Sequence, residues 1–429
     1  MQIRDGTLNE TSRGMRIAIA FLGRRNAGKS SLLNALVGYD LAIVSALAGT
    51  TTDPVQKAVE INPLGPCLVI DTAGIDDDGE LGQKRIEKTR GVINDSDVGV
   101  IVVGDGQWTA FEEDAMQRLQ ARNRPFIVAL NKSDCYEYAT LKNQLRQKGI
   151  EAVTTTAIKA EGVNELKQKI RSLNLTSINN ASDIVGDLLQ PGELAVLVVP
   201  IDLGAPKGRL ILPQVQTLRD LLDHNALALV AKENQLASLL EKLTSPPALV
   251  ITDSQVVKQV ETFLPPEIPL TTFSTLFARF KAQGGFRSLV EGVNQIDQLE
   301  DGACILIAES CTHHAMADDI GRVKLPRWLS DYTGKELNYE IAAGPAFKRE
   351  LKKYAMVIQC GGCMITPTEY QNRVEEAARA GVAISNYGLV ISYIHGVLPR
   401  IIRPFPELRE LSFHLSKIRA TGDKVLGSV

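Results

Sequence analysis

Eight consecutive residues carry the first chemistry in this chain: Gly23-Arg24-Arg25-Asn26-Ala27-Gly28-Lys29-Ser30. They follow the G-x-x-x-x-G-K-[ST] spacing, whose meaning depends on a strand before it and a helix after it. The apolar run at residues 15–22 reads as that strand, and Ser31 to Val37 as the start of the helix. Glycines let the backbone amides turn inward around phosphate oxygens. Lys29 brings a positive charge to the β- and γ-phosphates and Ser30 a ligand for Mg2+. Ser31 and the helix N-terminus that follows add a field that favours the anion.

Further segments narrow a phosphate site to a guanine site. LVIDTAG is a strand ending at Asp71, with Gly74 three residues on; Asp71 suits the magnesium shell and the Gly74 amide the γ-phosphate. FIVALNKSD is a strand ending in Asn131-Lys132-Ser133-Asp134. A carboxylate at Asp134 accepts both the ring N–H and the exocyclic amine of guanine, a donor pair that adenine lacks. Thr155-Thr156-Ala157-Ile158 resembles the Ser-Ala-Lys base loop of GTPases, with Ile158 where lysine is usual.

The chain has six cysteines, too few for a secreted disulfide scaffold. Cys67 and Cys304 lie in apolar, strand-like runs and read as buried structural thiols. Cys135 follows the nucleotide motif without an evident role. Cys311, Cys360 and Cys363 remain. The strand candidate 303–309 runs into Ser310-Cys311, and the candidate 354–359 into Cys360-Gly361-Gly362-Cys363. If these strands are parallel neighbours, their C-terminal ends meet at the sheet edge where α/β folds place ligands. Three thiolates with His313, His314 or Asp318 nearby fit a 4Fe–4S cluster with one exchangeable position, or structural zinc with three cysteines and one histidine.

The elements needed to position these residues imply several domains. A chain of 429 residues exceeds one ordinary core. We expect three consecutive α/β domains, the first a P-loop GTPase with a mostly parallel, doubly wound sheet. A polar arm at 1–14 precedes a GTP-binding domain at 15–175. The polar stretch 174–182 reads as a linker. Strands and amphipathic helices then alternate in a small α/β unit at 183–275, a connector or dimerisation domain, which has no phosphate loop and no metal spacing. His224 reads there as a helix-end residue. A metal-binding α/β domain fills 276–429. The composition, 44% hydrophobic and 23% charged with net charge -3, gives no whole-chain attraction to nucleic acid or anionic membrane. No run approaches the ~20 apolar residues of a membrane span, so a cytoplasmic protein is expected.

Residues 15–175 resemble the Era/TrmE-like branch of GTPases, whose switch threonine lies in a run matching Gly49-Thr50-Thr51-Thr52-Asp53. The resemblance implies that Thr51 or a neighbour completes the magnesium shell. Ile75 stands where many small GTPases carry a glutamine that orients water, so intrinsic hydrolysis should be slow. TrmE-like members hold an activating K+ with a phosphate-loop asparagine, which Asn26 matches. CTHHAMADDIGRVKLPRWL with the later CGGCM resembles the maturation GTPases of iron-iron hydrogenase over the whole chain. That family implies a 4Fe–4S cluster at Cys311, Cys360 and Cys363. It also implies a homodimeric scaffold that receives a di-iron precursor from radical-SAM partner maturases and delivers it to the hydrogenase apoprotein. Gln359 replaces the histidine that much of the family has before the C-x-x-C pair. His313 is then the first candidate for fourth ligand, Asp318 the second and a small exogenous ligand the third. The competing reading is an Era-type, RNA-associated GTPase with a structural zinc module.

Overall fold

A computed structural model describes residues 16–38, 55–72, 91–173, 183–200, 210–310, 319–343, 347, 350–362 and 365–411. The arm at 1–14, the linker, Thr51, Gly74, Ile75, Cys311, His313, His314, Asp318 and Cys363 lie outside the described residues.

The first sheet has the order β2-β3-β1-β4-β5-β6. Its strands are β1 (Ile17–Leu22), β2 (Val55–Ile61), β3 (Gly65–Asp71), β4 (Val98–Val103), β5 (Phe126–Leu130) and β6 (Ala152–Thr154). Only β2 runs antiparallel, along β3. All six residues of β1 are buried because helices cover both faces of the sheet. Its odd-numbered side chains Ile17, Ile19 and Phe21 pack with α1 (Lys29–Val37) and α4 (Val163–Ser172). Its even-numbered side chains Ala18, Ala20 and Leu22 pack with α2 (Ala110–Ala121) and α3 (Ala139–Gln147). Alternation along one strand therefore divides the core into two layers. The doubly wound, mostly parallel sheet is as expected.

A second sheet, ordered β10-β9-β7-β8, is parallel throughout. It is built from β7 (Leu194–Val198), β8 (Leu227–Ala231), β9 (Leu249–Thr252) and β10 (Leu270–Thr272), with α5 (Leu212–Asp223), α6 (Leu236–Lys242) and α7 (Val257–Phe263) in the crossovers. His224 is the C-cap of α5, a helix-end residue as read. Its Nδ1 lies 2.9 Å from the Asp220 carbonyl and its Nε2 3.1 Å from Asp183.

The third sheet, ordered β12-β11-β13-β14, is also parallel. β11 (Cys304–Glu309), β12 (Asn338–Ala343), β13 (Met356–Gln359) and β14 (Ala383–Asn386) are its strands. Helices α8 (Phe273–Ala282), α9 (Phe286–Glu291), α10 (Leu325–Thr333), α11 (Pro367–Ala380), α12 (Tyr387–Ile394) and α13 (Leu398–Ile402) complete this part of the chain. Contacts group the chain into two compact units, 1–181 with 366–372, and 182–365 with 373–429. Cys67 is fully buried and its thiol is pushed up to about 12 by that burial. Cys304 departs from expectation: it opens β11 and is only half-buried, because the first residue of a strand has less of the sheet around it. Among the described residues, no helix is long and apolar enough to cross a membrane.

Candidate nucleotide site and candidate metal centre

The phosphate loop connects the end of β1 to the start of α1. Gly28 caps that helix at φ 87°, a left-handed conformation that glycine adopts without strain. A Cβ there would stand 2.3 Å from the Asn131 amide nitrogen, so both backbone and space require glycine. No side chain caps α1, which leaves its first amides for an anion. Lys29 is buried and its ammonium donates to the carbonyls of Gly23 (2.7 Å) and Arg24 (3.0 Å), holding the charge within the loop.

The two described candidates for magnesium meet between the start of α1 and the end of β3. The Ser30 hydroxyl donates to one Asp71 oxygen at 2.7 Å. The other Asp71 oxygen is buried and has no hydrogen-bond partner. Burial raises the Asp71 carboxyl above its ordinary range, against the lowering effects of Ser30, Lys29 and Lys57. A buried carboxylate oxygen without a partner is costly, and a hard divalent cation beside a serine hydroxyl supplies what it lacks. These residues fit Mg2+.

Asn131 ties the base side to the phosphate side. It is almost fully buried; its amide nitrogen donates to the Ala27 carbonyl (3.1 Å) and its oxygen accepts from Thr155 Oγ1 and the Ala157 amide (both 3.2 Å). Ser133 and Thr156 join their hydroxyls at 2.7 Å. Lys132 takes φ 58°, and Asp134, two residues on, is exposed. Ile158 is 89% exposed and supplies no ammonium. Substituting Asn131 with alanine removes one donor and leaves buried partners unsatisfied, about 1–3 kcal/mol for each such group. We expect Asn131→Ala to weaken GDP binding by at least about tenfold, 1.4 kcal/mol, as measured by calorimetry with GDP and Mg2+.

Arg24 was not singled out by its motif position, which admits any residue. Its guanidinium binds Asp105 (2.6 Å), Glu112 (3.0 Å) and the Gln107 carbonyl (3.0 Å). Glu112 is fully buried and also closes the capping box of α2 through Thr109. Arg24 thus fastens the phosphate loop to the start of that helix. Arg24, Asn26, Ala27, Gly104, Lys132 and Tyr136 line a cavity of about 200 Å³ beside the loop. A larger hollow of about 770 Å³, lined in part by Leu351, Lys353 and Arg379, contains none of the candidate residues.

In the third sheet, β11 and β13 are parallel neighbours, with Ala308 opposite Gln359. The condition set by the cysteine spacing is met. The Cys360 amide donates to the Ala308 carbonyl at 2.9 Å. The Ser310 amide donates to the Cys360 sulfur at 3.2 Å, and the thiol lies 3.1 Å from the Ser310 hydroxyl. Ser310 directly precedes Cys311, so the two cysteine-bearing strand ends are adjacent. Gly362 takes φ 67°, which bends the C-x-x-C turn, and a Cβ at Gly361 would meet nothing within 4 Å. The preceding Gln359 is fully buried with neither amide atom hydrogen-bonded. Next to it, buried Glu309 holds Arg322 through two bonds, at 3.0 and 2.7 Å. A soft donor beside an open turn, together with an orphaned amide, fits a thiolate-bound metal group.

Comparisons with known proteins divide the chain in the same order. Residues 18–132 match the family described as 50S ribosome-binding GTPase. Residues 184–282 match the hydrogen maturase F dimerization domain, and residues 287–404 the hydrogen maturase F tetramerization domain. The chain is similar to the tRNA modification GTPase MnmE of Lactobacillus helveticus (strain DPC 4571), 32% identical over 39% of this chain and 36% of that protein. MnmE of Lactobacillus delbrueckii subsp. bulgaricus (strain ATCC BAA-365 / Lb-18) is 34% identical over 41% of this chain and 38% of that protein. The chain spans less than half the length of these curated relatives. Among solved structures, Aquifex aeolicus Era bound to GDP and AlF4- covers 51% of this chain and 95% of that one, at 20% identity and TM-score 0.32.

Proposed function

The chain belongs to the hydrogen maturase F family and carries a GTPase domain, and from that premise we propose that it is a GTP-switched carrier of a 4Fe–4S cluster in iron-iron hydrogenase maturation. Cys360, held against Ser310 where β11 and β13 end together, carries the reading. Cys311, Cys360 and Cys363 would hold the cluster, with His313 or Asp318 as candidates for the fourth position. When bound, such a cluster offers one iron at which incoming cargo can attach. The protein receives a di-iron precursor from radical-SAM maturases and hands it to the hydrogenase apoprotein in the cytoplasm. Its domains are the GTP-binding domain at 15–175, the dimerisation domain at 183–275 and the cluster domain at 276–429.

Lys29 neutralises phosphate charge, Ser30 and Asp71 hold Mg2+, Thr51 and Gly74 close on the γ-phosphate, and Asp134 selects guanine. GTP hydrolysis then works through switch-loop order, and acts on partner association rather than on iron chemistry. Asn26 lies at the rim of the loop cavity, exposed and at φ 61°. With Ile75 unable to orient water, K+ held by Asn26 offers another source of activation, a positive charge beside the phosphates. Hydrolysis by the parent protein should rise when K+ replaces Na+, and Asn26→Ala should lose that rise while retaining GDP affinity. Equal rates in the two salts would exclude the K+ role.

The dimerization and tetramerization families support an oligomer. A homodimer formed through β8 suits the second sheet: this edge strand exposes Leu227, Leu229 and Val230, an apolar template for strand pairing. The cluster reading is tested by anaerobic reconstitution with iron and sulfide, followed by metal analysis and EPR of the reduced protein. A reduced 4Fe–4S signal supports it; stoichiometric zinc without iron uptake would refute it.

A further inference from the structure

The stretch 183–275 has no metal spacing in its sequence, yet the fold gathers three metal-binding side chains at the end of α5. Asp183 comes just after the polar stretch 174–182, far before the other two in the chain. Asp220 lies in the last turn of α5 and His224 caps that helix. One donor atom from each of the three lies within 4.8 Å of the other two, the one such group among the described residues. All three residues are half-buried, so water reaches the space between them.

The donors are fixed by their own contacts. One carboxylate oxygen of Asp220 accepts the amides of Val185 and Gly186, both at 2.8 Å. Its other oxygen lies 4.0 Å from the His224 ring. That ring rests on the bare backbone of Gly186, where a Cβ would collide with it. His224 Nδ1 faces the Asp220 carbonyl at 2.9 Å. A carbonyl only accepts, so Nδ1 carries a hydrogen and the neutral ring has its lone pair on Nε2. Nε2 in turn faces an Asp183 carboxylate oxygen at 3.1 Å. Two acceptors that close need a cation between them, either a proton or a metal ion. An imidazole oriented by Nδ1–H on a backbone carbonyl is the support that metal-ligating histidines use. Ligands ~2.0–2.2 Å from one ion in a tetrahedral shell stand roughly 3–3.5 Å apart, which the Nε2-to-Asp183 separation matches.

We propose that Asp183, Asp220 and His224 bind a divalent transition-metal ion, with Zn2+ the best match, and that the ion clasps the segment at 183–186 to the end of α5. One imidazole and two carboxylates suit Zn2+, whereas Mg2+ and Ca2+ prefer oxygen ligands throughout. Water fills the remaining position. The site uses no cysteine and does not depend on the cluster reading.

The test uses Co2+, which occupies zinc sites, on the full-length, metal-stripped protein under anaerobic conditions. Equilibrium dialysis counts the bound ion. Absorption spectra separate cobalt on cysteines, which shows thiolate charge-transfer bands, from cobalt on nitrogen and oxygen, which does not. We expect the parent to bind about one equivalent without thiolate bands at this site, displaced by Zn2+. Asp183→Asn and His224→Gln should each weaken that equivalent at least about tenfold, the loss that even a supporting partner of a ligand causes. Any thiolate bands should be the same in parent and variants. Far-UV circular dichroism selects folded variants, and either one serves. A parent that binds no thiolate-free equivalent would overturn the proposal. So would a folded variant that binds Co2+ as the parent does, which would leave a protonated His224 as the cation between the carboxylates.

Discussion

Cys360→Ala protein, reconstituted anaerobically beside the parent, is expected to lose most of the about four irons per chain that a 4Fe–4S site holds. The sulfur of Cys360 is the one described cysteine donor at the strand ends, and Ser310 holds it in place from both backbone and side chain. The EPR signal of the reduced protein should disappear with the iron. GTP hydrolysis should persist, because the described candidate nucleotide residues follow β1, β3, β5 and β6 and none comes from the third sheet. A Cys360→Ala protein with full iron content and an unchanged spectrum would remove this residue from the metal centre.

Lys29→Ala is expected to lower kcat/KM for GTP by about 10²–10³, the loss typical when one charge-stabilising donor is removed from a buried site. The ammonium is enclosed by the Gly23 and Arg24 carbonyls, where the surrounding protein screens it poorly. Its effect on phosphate is correspondingly large. Circular dichroism should be unchanged, since α1 is held by Leu32, Leu33 and Leu36 in the core. Asp71→Asn should give a different signature, a higher Mg2+ requirement. The amide would still accept from Ser30 but would present a neutral group to the cation. Equal Mg2+ dependence in parent and Asp71→Asn would show that the orphaned carboxylate oxygen does not face the metal.

The candidate phosphate and guanine residues were legible because the chemistry they suit is local. Gly28, Lys29 and Ser30 are consecutive, the strand and helix flanking them announce themselves by apolar pattern, and Asn131 to Asp134 follow β5 directly. The adjacency of the two cysteine-bearing strands was readable as a condition, and pairing of β11 with β13 satisfies it. Other contacts could not be read because they join segments far apart in the chain. Arg24 meets Glu112 across 88 residues, Asn131 meets Ala27 across 104, and Lys281 meets Gly362 across 81. A lone arginine, asparagine or lysine has no spacing to mark it. What these residues do depends on which backbone carbonyl or carboxylate the sheet order brings beside them. Sequence alone therefore marked the candidate chemistry, because a phosphate loop and a C-x-x-C pair each occupy one short stretch. Only the tertiary structure decided what braces that chemistry, because burial and partner choice are set by packing between strands and helices far apart in the chain.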